Sequence, residues 1–179
     1  MSCPFAALTQ PGHDRKIYDL TGPEALSFEA MAEAIGHAID RKVTLTARSL
    51  ADLTSQNLSV TDPQLTAYLT VSQKILWPYT NTPRATITEL HIEPGSLAAR
   101  VQWSVGSNQH SAGSVLTIPS ELRVSDTYLI YSEVTYTYVP TVGYLLAKAG
   151  IDLSDVAFTR PRMSSCVLYN VSSGACPTL

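Results

Sequence analysis

Hydrophobic positions change period along this chain, and the change marks out its parts. Phe28, Met31, Ala32, Ile35 and Ile39 recur every three to four residues. That spacing gathers them on one stripe of a helix. Ser27 stands before the stripe as an N-cap, its hydroxyl accepting a first-turn amide. Gly36 weakens the helix by about 1 kcal/mol relative to alanine. Upstream, Lys16–Leu20 is a strand candidate, followed by Thr21-Gly-Pro23. Residues 44–77 keep helical spacing in two parts: Leu45, Leu50, Leu53 and Leu58, then Leu65, Tyr68, Leu69, Ser72, Ile75 and Leu76. Between them, Asp62 followed by Pro63 reads as a helix start. The carboxylate caps, and the proline takes the first helical position, where no N–H is needed. Pro78 and the segment to Pro83 end the helix.

From residue 84 the period is two. Thr86, Thr88, Leu90 and Ile92 alternate with Ile87, Glu89, His91 and Glu93. After a Pro94-Gly95 turn, Ala99, Val101, Trp103 and Val105 alternate with Arg100, Gln102 and Ser104. This predicts a half-buried strand with Trp103 on its inner face against the residue 62–77 helix. Ser114–Ile118 is a short strand. Tyr128–Val139 is the strongest, with Ile130, Ser132, Val134, Tyr136 and Tyr138 on one face. Val142–Ala149 reads as a short helix. Ala157–Tyr169 is a last strand, and Pro161 puts its start at an edge or bulge. Helices followed by strands predict an α+β fold: N-terminal helices packed on an antiparallel sheet of about five strands.

Composition narrows the function. The chain has 179 residues, and charged residues make up only 15%. Its polarity comes mainly from 19 serines and 19 threonines. Twelve basic against fifteen acidic residues, with no basic cluster, argue against nucleic-acid binding. No apolar run is long enough to span a membrane, and Met1–Leu8 lacks the positive region of a secretory signal. Residues 1–42 carry 4 of the 12 basic and 6 of the 15 acidic residues. This charge density divides the chain into segments 1–42 and 43–179.

The candidate chemistry is sparse. There is no phosphate loop, nucleophile elbow or H-E-x-x-H. Glu89, His91 and Glu93 share one face of a strand, a pattern that suits a solvated face better than a metal site. Glu133 reads as a glutamate on the wet face of the most apolar strand, not a catalytic acid with a raised pKa. Arg160 and Arg162 read as an edge-strand pair that aids solubility, not an anion clamp. Tyr128, Tyr131, Tyr136, Tyr138 and Tyr144 read as packing. Spacing and chemistry predict no catalytic, cofactor-binding or metal-binding residue. Cys166 and Cys176 enclose nine residues, a loop that suits either a disulfide or two free thiols; Cys3 is left over.

Several segments in order carry a family resemblance. They are Ala47-Arg-Ser-Leu-Ala-Asp-Leu-Thr-Ser-Gln56, Ile75-Leu-Trp-Pro-Tyr79, Val101-Gln-Trp-Ser104, Leu116-Thr-Ile-Pro119, Glu133-Val-Thr-Tyr-Thr-Tyr-Val-Pro140 and Arg160-Pro-Arg162. Over about residues 43–170 the chain resembles the extracytoplasmic part of TadE/TadG-like pilus assembly proteins. That resemblance implies a pilin-like fold and a non-enzymatic role in assembling or anchoring a tight-adherence (Flp-type) pilus. The implied partners are other pilin-like subunits, and no cofactor is implied. It also implies an inner-membrane anchor, which this chain as written lacks, so the chain by itself is expected in the cytoplasm. An oxidising compartment is implied too, and favours the Cys166–Cys176 bridge.

Residues 12–42, from Gly12-His-Asp-Arg-Lys-Ile-Tyr to Ala34-Ile35, resemble the substrate-side segment of NmrA-like NAD(P)-binding proteins. The glycine-rich phosphate loop and acidic ribose ligand of that family are missing, so no NAD(P) binding is expected. The alternatives to the pilus reading are an NmrA-like oxidoreductase fragment and an orphan envelope binding domain.

Overall fold

The alternation that begins at residue 84 forms a five-stranded antiparallel sheet, and the helical stripes upstream pack on one of its faces. A computed structural model describes residues 28–77, 81–138 and 151–179, with 28–36 and 151 as backbone alone. In chain order the elements are α1 (Phe28–Ser55), β1 (Ser59–Val60), α2 (Asp62–Ile75), β2 (Arg84–Ile92), β3 (Ala99–Gly106), β4 (Val115–Leu116), a 3-10 turn at Ser120–Leu122, β5 (Thr127–Tyr138), β6 (Ile151–Thr159) and β7 (Leu168–Tyr169). The main sheet has the order β4-β3-β2-β5-β6, and β1 pairs in parallel with β7 as a separate ribbon. The fold is α+β. Lys16–Leu20, Ser27, Pro78–Thr80 and the expected helix at Val142–Ala149 lie outside the described residues, as do Cys3 and Tyr144.

α1 is one helix of 28 residues and runs unbroken through residues 42 and 43, where the charge density changes. Its buried stripe is Ile39, Val43, Thr46, Ala47, Leu50, Ala51 and Thr54, lying over β5 and β6. Burying each of the larger aliphatic members contributes about 1.5–3 kcal/mol. The expected leucine stripe is corrected here: Leu45 and Leu58 are exposed, and only Leu50 of the four is buried. Threonine makes this stripe hard to see. Thr46 and Thr54 sit in the core because their hydroxyls donate to the Lys42 and Leu50 carbonyls one turn back, at 2.7 and 2.9 Å.

α2 also starts one residue earlier than expected. Thr61, not Asp62, is the N-cap, and Gln64 Oε1 accepts the Thr61 N–H at 3.0 Å in a capping box. Asp62 is thereby freed to act as an acceptor for the C-terminal segment.

β2 is the central strand, and every residue from Ala85 to Ile92 is buried. Its pairing with β3 slips between Glu89, opposite Trp103, and Leu90, opposite Val101. Gln102 is the extra residue of this β-bulge. The bulge overturns the expectation that Ala99, Val101, Trp103 and Val105 share a face. Trp103 and Val105 pack with Ala85, Ile87 and Leu65 on the α1 side. Val101 and Ala99 pack with Leu90, Ile92, Ile118 and Leu129 in a second cluster. Gly106 closes β3 at φ +143, where a Cβ would lie 2.2 Å from the Ala85 carbonyl oxygen. The face of β5 is as expected: Ile130, Val134 and Tyr136 are buried in the first cluster, and Ser132 donates to the Ala47 carbonyl at 2.5 Å.

The last expected strand, Ala157–Tyr169, is two strands. β6 spans Ile151–Thr159 and stops before Arg160-Pro161, where proline offers no ladder donor. The chain then leaves the sheet edge and crosses the end of α1, where the Arg162 N–H donates to the Ser55 carbonyl at 2.8 Å. Beyond that point it forms β7 against β1, with Leu168 and Asn170 N–H groups donating to Leu58 and Val60. No helix among the described residues is long and apolar enough to cross a membrane.

Candidate functional site

Two polar clusters lie against the sheet, one on each face. The first is centred on Glu89. Its strand position points it toward α1, and because the bulge turns Trp103 to that same face, the indole stands directly opposite. Trp103 Nε1 donates to Glu89 Oε2 at 2.8 Å, and the Val167 N–H donates to Glu89 Oε1 at 2.5 Å. The same indole N–H lies 2.9 Å from the Val167 carbonyl oxygen, and Tyr169 stacks on its ring at 5.4 Å. Glu89 is fully buried. Burial raises its pKa to about 7, against the lowering effect of the bonds from Val167 and Trp103. His91, two residues on, is buried against Tyr128 with ring centroids 4.6 Å apart, and its Nε2 lies 3.2 Å from Asp126 Oδ1.

A solvated face was expected for Glu89, His91 and Glu93, and the structure overturns this for Glu89 and His91. Residues 160–179 fold back over that face and take it out of water. Only Glu93 stays near the surface, where Arg100 Nε donates to it at 2.5 Å. Arg100 holds its carboxyl below the usual carboxylate range. Among the described residues no three His, Cys, Asp or Glu side chains converge on a common point.

The second cluster is on the opposite face. Tyr131 Oη donates to Glu133 Oε2 at 2.9 Å, and His110 Nε2 lies 3.5 Å from Glu133 Oε1. The His110 N–H donates to Ser104 Oγ at 3.1 Å, and Ser104 shares a hydrogen bond with Thr88 at 2.8 Å. Burial, with the Glu133 carboxylate beside it, pushes the Tyr131 hydroxyl well above its ordinary pKa. Glu133 is therefore not on an open wet face. The polar loop after β3 lays His110 over it, and both side chains are about three-quarters covered. Sequence reasoning misses His110 because nothing local in a polar loop says which strand it will cover.

Arg162 pairs with Asp52 at 2.5 Å, and Arg160 is exposed after β6, an edge strand of the sheet. With Arg48, Arg162 borders an open cleft of about 370 Å³ between α1 and β6. Tyr128 and Tyr136 are buried, and Tyr131 and Tyr138 are half-buried. Cys166 and Cys176 are joined by a disulfide, with Cα atoms 5.8 Å apart. The tail it closes is held at both ends. Tyr169 Oη donates to Asp62, Asn170 Nδ2 donates to Asp62 Oδ2 at 3.1 Å, and Tyr128 Oη donates to the Pro177 carbonyl at 2.8 Å. The bonds from Tyr169 and Asn170 lower the Asp62 pKa.

Neither glutamate lines the open clefts beside α1, α2 and β6. Both carboxylates are engaged by groups of the chain itself, an arrangement that fastens segments to the sheet. The protein class that the geometry defines is an α+β domain with a helix laid across an antiparallel sheet. No family model, curated protein or solved structure matches the chain.

Proposed function

We propose that this chain is a non-enzymatic, minor-pilin-like component that acts in assembling or anchoring a tight-adherence pilus by packing against other pilin-like subunits. The observation that carries the reading is α1. It is a long helix that lays its buried stripe along β5 and β6, and its part from Val43 to Ser55 falls within the resemblance, whose pilin-like fold would place a helix on an antiparallel sheet. Its other face offers Leu45, 55% exposed, between Arg41 and Arg48. An exposed apolar residue on a helix of this length suits lateral contact with a second helix.

The test is deletion of the gene in the native host, followed by complementation. Surface pili are expected to fall on deletion and to return with the wild-type chain. Leu45→Asp, checked for a native circular dichroism spectrum, is expected not to restore them. Normal piliation in the deletion strain would remove the pilus role. Saturable NADPH binding by the purified chain would favour the oxidoreductase-fragment alternative instead.

A further inference from the structure

We propose that the chain pairs with a second copy of itself through the outer edge of β6, the two strands lying antiparallel about a two-fold axis at Val156 so that two five-stranded sheets become one. The inference stands apart from the pilus reading. It rests on the direction of the hydrogen-bonding groups of β6, the order of its charges and its exposed apolar residue.

β6 is an edge strand, and among the described residues no strand pairs with its outer side. The ladder fixes which of its groups face outward. The Asp126 N–H donates to the Ile92 carbonyl, whereas the Ala85 carbonyl accepts from Ser107, just past β3. Thr86, Thr88, Leu90 and Ile92 therefore bond toward β5. By register, Ile130, Ser132, Val134 and Tyr136 then bond toward β6, to Thr159, Ala157, Asp155 and Leu153. Asp152, Ser154, Val156 and Phe158 are left with their N–H and C=O groups aimed out of the sheet. One of these groups is capped from within: Asp155 Oδ1 accepts the Val156 N–H at 2.8 Å. The strand spans Ile151–Thr159 and holds no proline or lysine, residues that commonly guard an edge.

The side chains make this edge complementary to itself. With the axis at Val156, that residue meets its own copy, Phe158 meets Ser154, and Arg160 meets Asp152. Val156 is 47% exposed. Arg160, just past the end of β6, is exposed and pairs with no acidic group among the described residues. Asp152 is exposed too, and accepts from the Thr137 hydroxyl. Two Arg160–Asp152 pairs thus flank an apolar centre, and the contact is isologous and closes on itself. On the α1 side the same register sets Asp155 opposite Ala157 of the second copy, at the cleft that Arg48 and Arg162 border. Moving the axis to Asp155 would set that carboxylate against its own copy, which repels. The bond lost when Asp155 swings aside is replaced, because the Val156 carbonyl of the second copy accepts the same N–H. α1 lies over β5 and β6, so the two α1 helices come to about 10 Å apart across the axis, the spacing of packed helices.

The test is sedimentation velocity of the full chain from about 1 to about 300 µM, read with amide hydrogen exchange at both ends of that range. The mass should rise with concentration from one chain to two. Exchange at Ser154, Val156 and Phe158 should slow by about fivefold or more as it does so. Asp152→Arg or Arg160→Asp alone should weaken the dimer by about tenfold or more, since like charges then face each other at both ends. The two changes together should restore it. Val156→Lys should abolish the dimer and keep the native circular dichroism spectrum, because neither its side chain nor its N–H supports the ladder to β5. Leu45→Asp should leave the dimer intact, which separates this contact from the one proposed for the pilus. One chain mass at every concentration would overturn the proposal. So would a dimer that both single charge reversals leave unchanged, or one that Leu45→Asp dissociates. A dimer weakened by each reversal and not restored by the pair would overturn the register about Val156.

Discussion

Replacing Glu89 by glutamine removes the ionisable group and keeps the size of the side chain, but its single oxygen can accept from only one of Val167 and Trp103, a loss that is the same at every pH. The pKa of Glu89 is 4.5 in an ordinary setting and about 7 in the fold. The native state therefore holds the proton more tightly than the unfolded chain does. Stability from this group is fully present below about pH 4.5 and is lost as pH rises through about 7. At about 1.4 kcal/mol per pKa unit, the loss across that window is about 3 kcal/mol. Asp62, Glu93 and Glu121 have depressed values and act with the opposite sign, at pH values below their ordinary ones. The two effects thus occupy different windows. Urea unfolding of the oxidised protein across this range should show the wild type losing stability relative to Glu89→Gln as pH rises. A difference between the two proteins that stays constant with pH would refute the argument. A difference that grows in the opposite direction would mean that the two donated hydrogen bonds outweigh desolvation.

Trp103→Ala should cost about 3–5 kcal/mol in urea unfolding, because it opens a cavity beneath Tyr169 and strips a donor from Glu89; a loss below about 1 kcal/mol would mean the ring is not a core residue. Gly106→Ala should cost about 1–3 kcal/mol, since its positive φ and the close Ala85 carbonyl leave no room for a Cβ; a thermal melt unchanged from wild type would contradict the close approach. Thr61→Ala should cost about 1 kcal/mol by loss of the α2 cap, whereas Asp62→Ala should leave the helix start intact and loosen the C-terminal segment, seen as faster exchange at Asn170.

Periodicity carries the fold class and most of the elements. The stripe from Leu65 to Leu76 and the alternation along β2 and β5 are properties of the local chain, because a helix or strand must turn one face to a core whatever that core contains. The same logic makes Ile130, Val134 and Tyr136 readable as inner residues from their alternation alone. The bulge at Gln102 is not readable in this way. It depends on the register between β2 and β3, and no local feature of β3 announces that Trp103 and Val101 will face opposite ways. The threonines in α1 escape notice for a related reason: a hydroxyl that bonds the previous turn is apolar to its neighbours but polar in a sequence. The fates of Glu89 and Glu133 are decided further away still. On its own strand each alternates like a surface residue. Glu89 is buried because a segment almost eighty residues later returns across it, and Glu133 because the loop carrying His110 folds over it. Sequence sets which faces are available to water and which to a core. The tertiary structure alone decides which polar groups are then covered, because the energy of a buried carboxylate depends on what lies above it.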